Sequence, residues 1–200
     1  MAIRFTPLHP AFVAECSGVD IGRPIDAGTA EAIHRGMDRY AVLVFRRETP
    51  LTPEQQLAFT RSLGELEPLY RTIVSNEGRR LENPHFSDIS NLGPGGKILS
   101  REDRKRLFNL GNRLWHSDSS YKTIPASYSL LCAHVVPPEG GDTEFADMRA
   151  AWDALDAGTK ERIKDLVAEH SRLYSKGALG FRFTEEEERD FAPVRQPLVR

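Results

Sequence analysis

Trp115-His116-Ser117-Asp118, running on into Ser119-Ser120-Tyr121, is the stretch on which the fold assignment turns. If it forms a strand, residues two positions apart project from one face, so His116 and Asp118 point into a common space. An imidazole nitrogen and a carboxylate oxygen so placed are two of the three protein donors of a 2-His-1-carboxylate triad. That triad leaves adjacent positions open on a non-haem Fe(II). The bland alternative is a surface histidine beside a carboxylate. With six histidines in 200 residues, H-x-D arises by chance in roughly one such chain in three. Context has to decide.

Downstream, 113–121 and 126–136 read as strands separated by a turn at Pro125. The next turn is made by Pro137-Pro138 and Gly140-Gly141 and leads into 142–148. Two helices are expected after it, over 149–156 and 159–174. In the second, Ile163, Leu166, Val167 and His170 fall at i, i+3, i+4 and i+7, one apolar stripe. Residues 177–200 receive no assignment. Upstream, 71–112 is polar and broken by Asn83-Pro84 and Gly93-Pro94-Gly95-Gly96, the pattern of a functional lid or a disordered loop. The charge-rich run 100–106 within it reads as a solvated face. Earlier still, Thr52 caps a helix with Pro53 in its first turn and Gln55 completing a capping box, and Gly64 is placed to end that helix in a left-handed conformation. Residues 41–45 (AVLVF) read as a buried strand and 26–40 as a helix capped by Asp26. The opening segment reads as strand and turn. The order is mixed α/β, then strands, then helices, in a single domain spanning 1–200.

The bulk composition excludes several classes. A formal net charge of -2 offers no electrostatic footprint for nucleic acid or an anionic membrane. No apolar run approaches the ~20 residues needed to cross a bilayer, and the N-terminus lacks a basic-then-apolar signal. Cys16 and Cys132 are the two cysteines, too few for a disulfide framework and without metal-binding spacing, which points to a reducing cytoplasmic compartment.

The run W-H-S-D-S-S-Y, then P-x-x-Y-S-L-L, then P-P-x-G-G-D-T-E-F-A-D-M-R-A-A-W-D-A-L, resembles the taurine/2,4-dichlorophenoxyacetate (TauD/TfdA) dioxygenase family almost continuously over 113–155. LTPEQQLAFTRSLGELE at 51–67 is similar to that family's early helix and following turn. D-I-S-N (88–91) and L-H-P (8–10) are closest to its aryloxyacetate branch. The resemblance implies a double-stranded β-helix (jelly-roll, clavaminate-synthase-like) core with flanking helices. It carries His116 and Asp118 over as Fe(II) ligands and Thr143 as a hydrogen-bond donor to a carboxylate of the cosubstrate 2-oxoglutarate. The local chemistry agrees, since two glycines let the backbone turn tightly and a threonine hydroxyl donates to an anionic oxygen. A β-branched strand residue is the alternative for Thr143. By the same resemblance O₂ is consumed, 2-oxoglutarate leaves as succinate and CO₂, and a small anionic organic substrate is hydroxylated. For an aryloxyacetate such as 2,4-dichlorophenoxyacetate, the product collapses to a phenol and glyoxylate.

An anionic substrate calls for cations or strong donors. Ser120, two beyond Asp118, is one candidate, with Lys97 and Arg71 in the irregular segment and Asn112 beside the motif. Solvated charges are the competing reading for Lys97 and Arg71, and a turn residue for Asn112. The resemblance further implies a second histidine ligand in a strand more than a hundred residues beyond H-x-D, and a later arginine for the far carboxylate of 2-oxoglutarate. Downstream of Asp118 stand only His134, read at a strand end, and His170, read on a helix. The chain therefore reads as the N-terminal two-thirds of a family member, its distal strands absent. The alternatives are a taurine/alkylsulfonate-type dioxygenase and a truncated non-catalytic remnant. Homo-oligomerisation stays open.

Overall fold

Strands β1 (Arg4–Pro7) and β2 (Ala14–Ser17) pair antiparallel, with Phe5 opposite Cys16. The computed structural model describes residues 2–67, 80, 81, 83 and 85–200. The chain continues through α1 (Ala27–Tyr40), β3 (Leu43–Val44), α2 (Pro53–Leu63), α3 (Arg104–Asn109), α4 (Met148–Ala154), α5 (Ala157–Ile163), β4 (Val167–His170), α6 (Arg172–Gly177), α7 (Glu185–Asp190) and β5 (Val194–Pro197). It divides into two compact units, one of residues 1–66 with 130–160, the other of 67–129 with 161–200.

In the first unit β3 adds to β2 in parallel, giving a sheet ordered β1-β2-β3. Helix α1 begins where Asp26 accepts the Thr29 amide at 2.9 Å, satisfying a donor that the first helical turn leaves open. Its buried face is Ala30, Ile33 and Gly36. A Cβ on Gly36 would stand 2.5 Å from the Phe5 ring, so only glycine lets helix and strand approach this closely. The expected capping box of α2 is present: Gln55 N–H donates to Thr52 Oγ1 at 3.2 Å, and Thr52 N–H to Gln55 Oε1 at 2.9 Å. Gly64 ends the helix at φ 157° and ψ -176°, a positive-φ region that is essentially glycine's own but not the αL conformation expected. Ile21, Ile33, Leu51 and Phe59 form the core, with Leu130 and Cys132 packed against it.

The second unit departs further from expectation. Residues 159–174 are not one helix. Val167–His170 pairs antiparallel with Val194–Pro197, so His170 lies on a strand. Helical spacing of four apolar residues was outweighed by a partner lying far along the chain, which a local window does not see. Helix α7, in the unassigned tail, carries its own capping box on Thr184 and Glu187. The charge-rich run is a solvated face only in part: Ser100, Arg101, Glu102 and Arg104 are exposed, while Asp103, Lys105 and Arg106 are half-buried. Arg104 donates to Glu187 at 2.9 Å and lies 4.7 Å from the Phe181 ring centroid, and Lys105 pairs with Asp88 at 2.8 Å.

The strands expected over 113–121 and 126–136 do not form. Leu110–Arg113 is a 3-10 turn, 118–121 is a turn, and 128–133 has no regular structure and no ladder partner. A strand exists only through its hydrogen-bonded neighbour, and among the described residues none lies beside these segments. No helix among the described residues is long and apolar enough to cross a membrane.

Candidate functional site

His116 and Asp118 are brought together, though by a turn and not by a strand face. His116 Nε2 lies 3.3 Å from Asp118 Oδ1, both side chains being about half exposed. The other ring nitrogen, Nδ1, is 2.6 Å from the Leu114 carbonyl oxygen. A carbonyl can only accept, so this contact places a proton on Nδ1, and Nε2 is the ring nitrogen turned towards Asp118. Metal-ligating histidines are oriented in this way, through a backbone carbonyl on the non-coordinating nitrogen. Two donors each about 2.1 Å from a first-row divalent ion and at right angles stand about 3 Å apart, close to the separation found. The donor set therefore suits a divalent ion bound by one nitrogen and one oxygen. Among the described residues no third His, Cys, Asp or Glu joins them.

The remaining candidates are placed as follows. Ser120 is half-buried, and its hydroxyl donates to Ser117 O at 3.3 Å within the same turn. Asn112 is exposed in the 3-10 turn before the motif, and Lys97 is exposed just after the 3-10 turn Pro94–Gly96. Arg71 lies outside the described residues. Thr143 belongs to the first unit, exposed, two residues after a turn in which Gly140 and Gly141 adopt φ of 66° and 76°. These are left-handed values that explain both glycines. His134 is exposed at a bend just beyond residues 128–133.

Sequence reasoning missed what lies beneath the pair. Ser119 Oγ donates to Glu67 Oε1 at 3.1 Å, and Lys122 Nζ pairs with Glu67 Oε2 at 2.6 Å. Arg172 donates to the Tyr121 hydroxyl at 2.6 Å. Burial pushes the Tyr121 hydroxyl pKa up and the Arg172 pKa down. Tyr121 and Lys122 directly follow the motif, so adjacency could have flagged them. Nothing in the sequence marked Glu67 or Arg172.

Comparison with known proteins settles the lineage. Residues 4–200 match the family described as taurine catabolism dioxygenase TauD, TfdA family. The chain belongs to that family. It is 42% identical, over its whole length, to 69% of the alpha-ketoglutarate-dependent 2,4-dichlorophenoxyacetate dioxygenase of Cupriavidus pinatubonensis (strain JMP 134). It is 38% identical, over 90% of its length, to 57% of the (S)-phenoxypropionate/alpha-ketoglutarate-dioxygenase of Sphingobium herbicidovorans. A crystal structure of AAD-2 in complex with Mn(II) and N-oxalylglycine superposes with a TM-score of 0.93 at 50% identity, covering the whole of this chain and 69% of that one. The chain thus spans about two-thirds of the length of these relatives.

Proposed function

We propose that this TauD/TfdA dioxygenase acts on a small aryloxyacetate with 2-oxoglutarate as cosubstrate, and that His116 and Asp118 are its iron-holding residues. The observation that carries the reading is whole-chain similarity to a 2,4-dichlorophenoxyacetate dioxygenase at 42% identity, together with a Nδ1-anchored His116 beside Asp118. When bound, Fe(II) and 2-oxoglutarate supply the oxidation of the substrate carbon by O₂, the cosubstrate leaving as succinate and CO₂. The chain's own part is geometric. Leu114 O holds a proton on His116 Nδ1, so that Nε2 is the nitrogen offered to the metal, and Asp118 contributes a carboxylate oxygen. Thr143 offers a hydroxyl donor to a 2-oxoglutarate carboxylate. Ser120, Lys97, Asn112 and Arg71 are the candidates for contact with the substrate carboxylate. The Mn(II) and N-oxalylglycine in the AAD-2 crystal support the cofactor reading, because an oxalyl group presents the same chelating pair of oxygens as a 2-oxo acid.

The jelly-roll architecture belongs to the same proposal. Tyr128, Leu130 and Cys132 are half-buried, the last two against the core, while Ser129, Leu131 and Ala133 are exposed. This alternating run has one covered side and one apolar side still open, as a sheet-forming segment of a two-layered fold would. A cytoplasmic enzyme with a small-molecule partner fits the absence of a basic surface bias.

Two measurements test this. With Fe(II), 2-oxoglutarate and no oxygen, the chain is expected to give the visible charge-transfer band of the chelate, lost in His116→Ala. With O₂ and 2,4-dichlorophenoxyacetate it is expected to release 2,4-dichlorophenol, glyoxylate and succinate. Sulfite from taurine with no phenol would transfer the assignment to a sulfonate. A folded chain giving neither band nor product would make it a non-catalytic remnant.

A further inference from the structure

The exposed His116–Asp118 pair sits on one end of a turn whose other end is sealed. Ser119, Lys122 and Gln196 are 9%, 8% and 8% exposed, and they are all the buried polar side chains among the described residues. Burying polar groups is costly unless they are partnered, and each of these is. The Glu67 carboxylate accepts from Ser119 and pairs with Lys122, and Gln196 in β5 donates to the Lys122 carbonyl at 2.8 Å. Between them, Tyr121 accepts from Arg172, whose guanidinium also lies 4.0 Å from the Tyr121 ring centroid and 4.9 Å from that of Phe191. Ser119 holds φ at 58°, a conformation few non-glycine residues adopt and one that its surroundings must maintain. Three separated segments (residue 67, the start of α6, and β5) thus converge on residues 119, 121 and 122.

We propose that Tyr121 and Arg172, with the Glu67–Lys122 pair beside them, are positioning residues that lock the 118–122 turn and so fix the Asp118 carboxylate relative to the His116 imidazole. The proposal rests on the reading of His116 and Asp118 as metal ligands. Groups hydrogen-bonded directly to a metal ligand typically change metal affinity 10- to 100-fold when removed, and residues acting one step further out belong at the low end of that range. A network whose members are all satisfied can hold one geometry where a looser set would allow several.

Tyr121→Phe is the sharpest probe, since it keeps the ring and its stacking on Arg172 and deletes only the acceptor oxygen. Leu99→Ala, half-buried against Gly93 in the same unit and on none of the segments that converge on the turn, is the control for simple destabilisation. Two readouts are taken on the full chain. The first needs no metal: the ¹⁵N resonances of the His116 ring are expected to move in Tyr121→Phe, because Asp118 Oδ1 no longer stands at a fixed distance from Nε2, and to stay put in Leu99→Ala. The second is Co(II) alone, titrated by visible absorption, where Tyr121→Phe is expected to bind about 10-fold more weakly than wild type. Arg172→Lys is expected to recover part of the affinity that Arg172→Met loses, and if Arg172→Met does not fold, Tyr121→Phe carries the test. If Co(II) binds through His116 yet Tyr121→Phe matches wild type in both readouts, or Leu99→Ala changes them equally, the positioning role is overturned and the ligand assignment stands. If the His116 resonances move but wild type and His116→Ala bind Co(II) alike, the ligand assignment falls while the positioning of the pair stands.

Discussion

The two units hold themselves together in opposite ways. In the first, Ala14, Cys16, Ile21, Ala30, Ile33, Leu51, Leu57 and Phe59 are buried, an apolar core between a small sheet and two capped helices. In the second, Phe181 is the only buried large apolar residue among those described, and the buried polar side chains Ser119, Lys122 and Gln196 all belong to it. Its cations lie over aromatic rings, Arg104 on Phe181 and Lys176 on Phe108 at 4.4 Å to the centroid. The candidate site stands in the polar unit. Directional contacts can fix the orientation of a side chain, whereas apolar burial stabilises without direction.

The contrast breaks most visibly in the apolar unit. Ile33→Ala, at the largest fully buried side chain among the described residues, is expected to cost about 3–4 kcal/mol from lost burial and a residual cavity. Urea unfolding with an unchanged m value would measure it. A cost under ~1 kcal/mol would mean that this core is not what holds the unit. In the polar unit, Lys122→Met strands the Glu67 carboxylate and is expected to cost roughly 2–3 kcal/mol, tempered because the Glu67 side chain keeps 34% of its exposure. Lys122→Met/Glu67→Leu should recover most of that loss, since replacing both partners leaves no orphaned charge. A double-mutant cycle without such recovery would show that Lys122 acts through some other contact.

The same contrast explains what could be read from the sequence. Helices α1 and α2 were legible because caps and apolar spacing are local signals, written in Asp26, Thr52 and Gln55. The closeness of His116 and Asp118 was also legible, though for the wrong reason: a strand was expected and a turn delivers the pair. Strand β4 was missed because its partner Val194–Pro197 lies beyond any local window. Arg172 and Glu67 were missed for the same kind of reason, since Arg172 reaches Tyr121 across 51 positions and Ser119 reaches Glu67 across 52. Polar ties between distant segments leave no periodicity to find.

A smaller effect, dependent on pH, is expected at Asp88. Burial tends to raise its pKa, but hydrogen bonds from Arg80, Lys105 and Ser90 prevail and hold the carboxyl well below the usual carboxylate range. A depressed folded-state pKa adds stability that is complete above the unfolded value of about 4 and is lost as pH falls towards the folded one. Asp88→Asn should therefore cost about 1–2 kcal/mol at neutral pH, with the gap to wild type narrowing below pH ~4. Melting curves across pH 2–7 would show it, and a gap independent of pH would refute the ionic account.

The slightest perturbation reads the apolar unit without changing it. Both cysteines lie there, Cys16 buried and Cys132 partly buried. Burial pushes the Cys16 thiol up to about 11, so at pH 8 roughly one molecule in a thousand carries the thiolate that reacts. A disulfide reagent is expected to label Cys132 first and Cys16 at least about 100-fold more slowly. Ile33→Ala should raise the Cys16 rate, because the thiol then reacts from the opened state whose population that substitution increases. Lys122→Met, in the polar unit, should raise it less than Ile33→Ala does, in line with its smaller cost. If Cys16 instead reacts as fast as Cys132 in the unaltered chain, the sheet and α1 do not enclose it, and the apolar unit is no better sealed than the polar one.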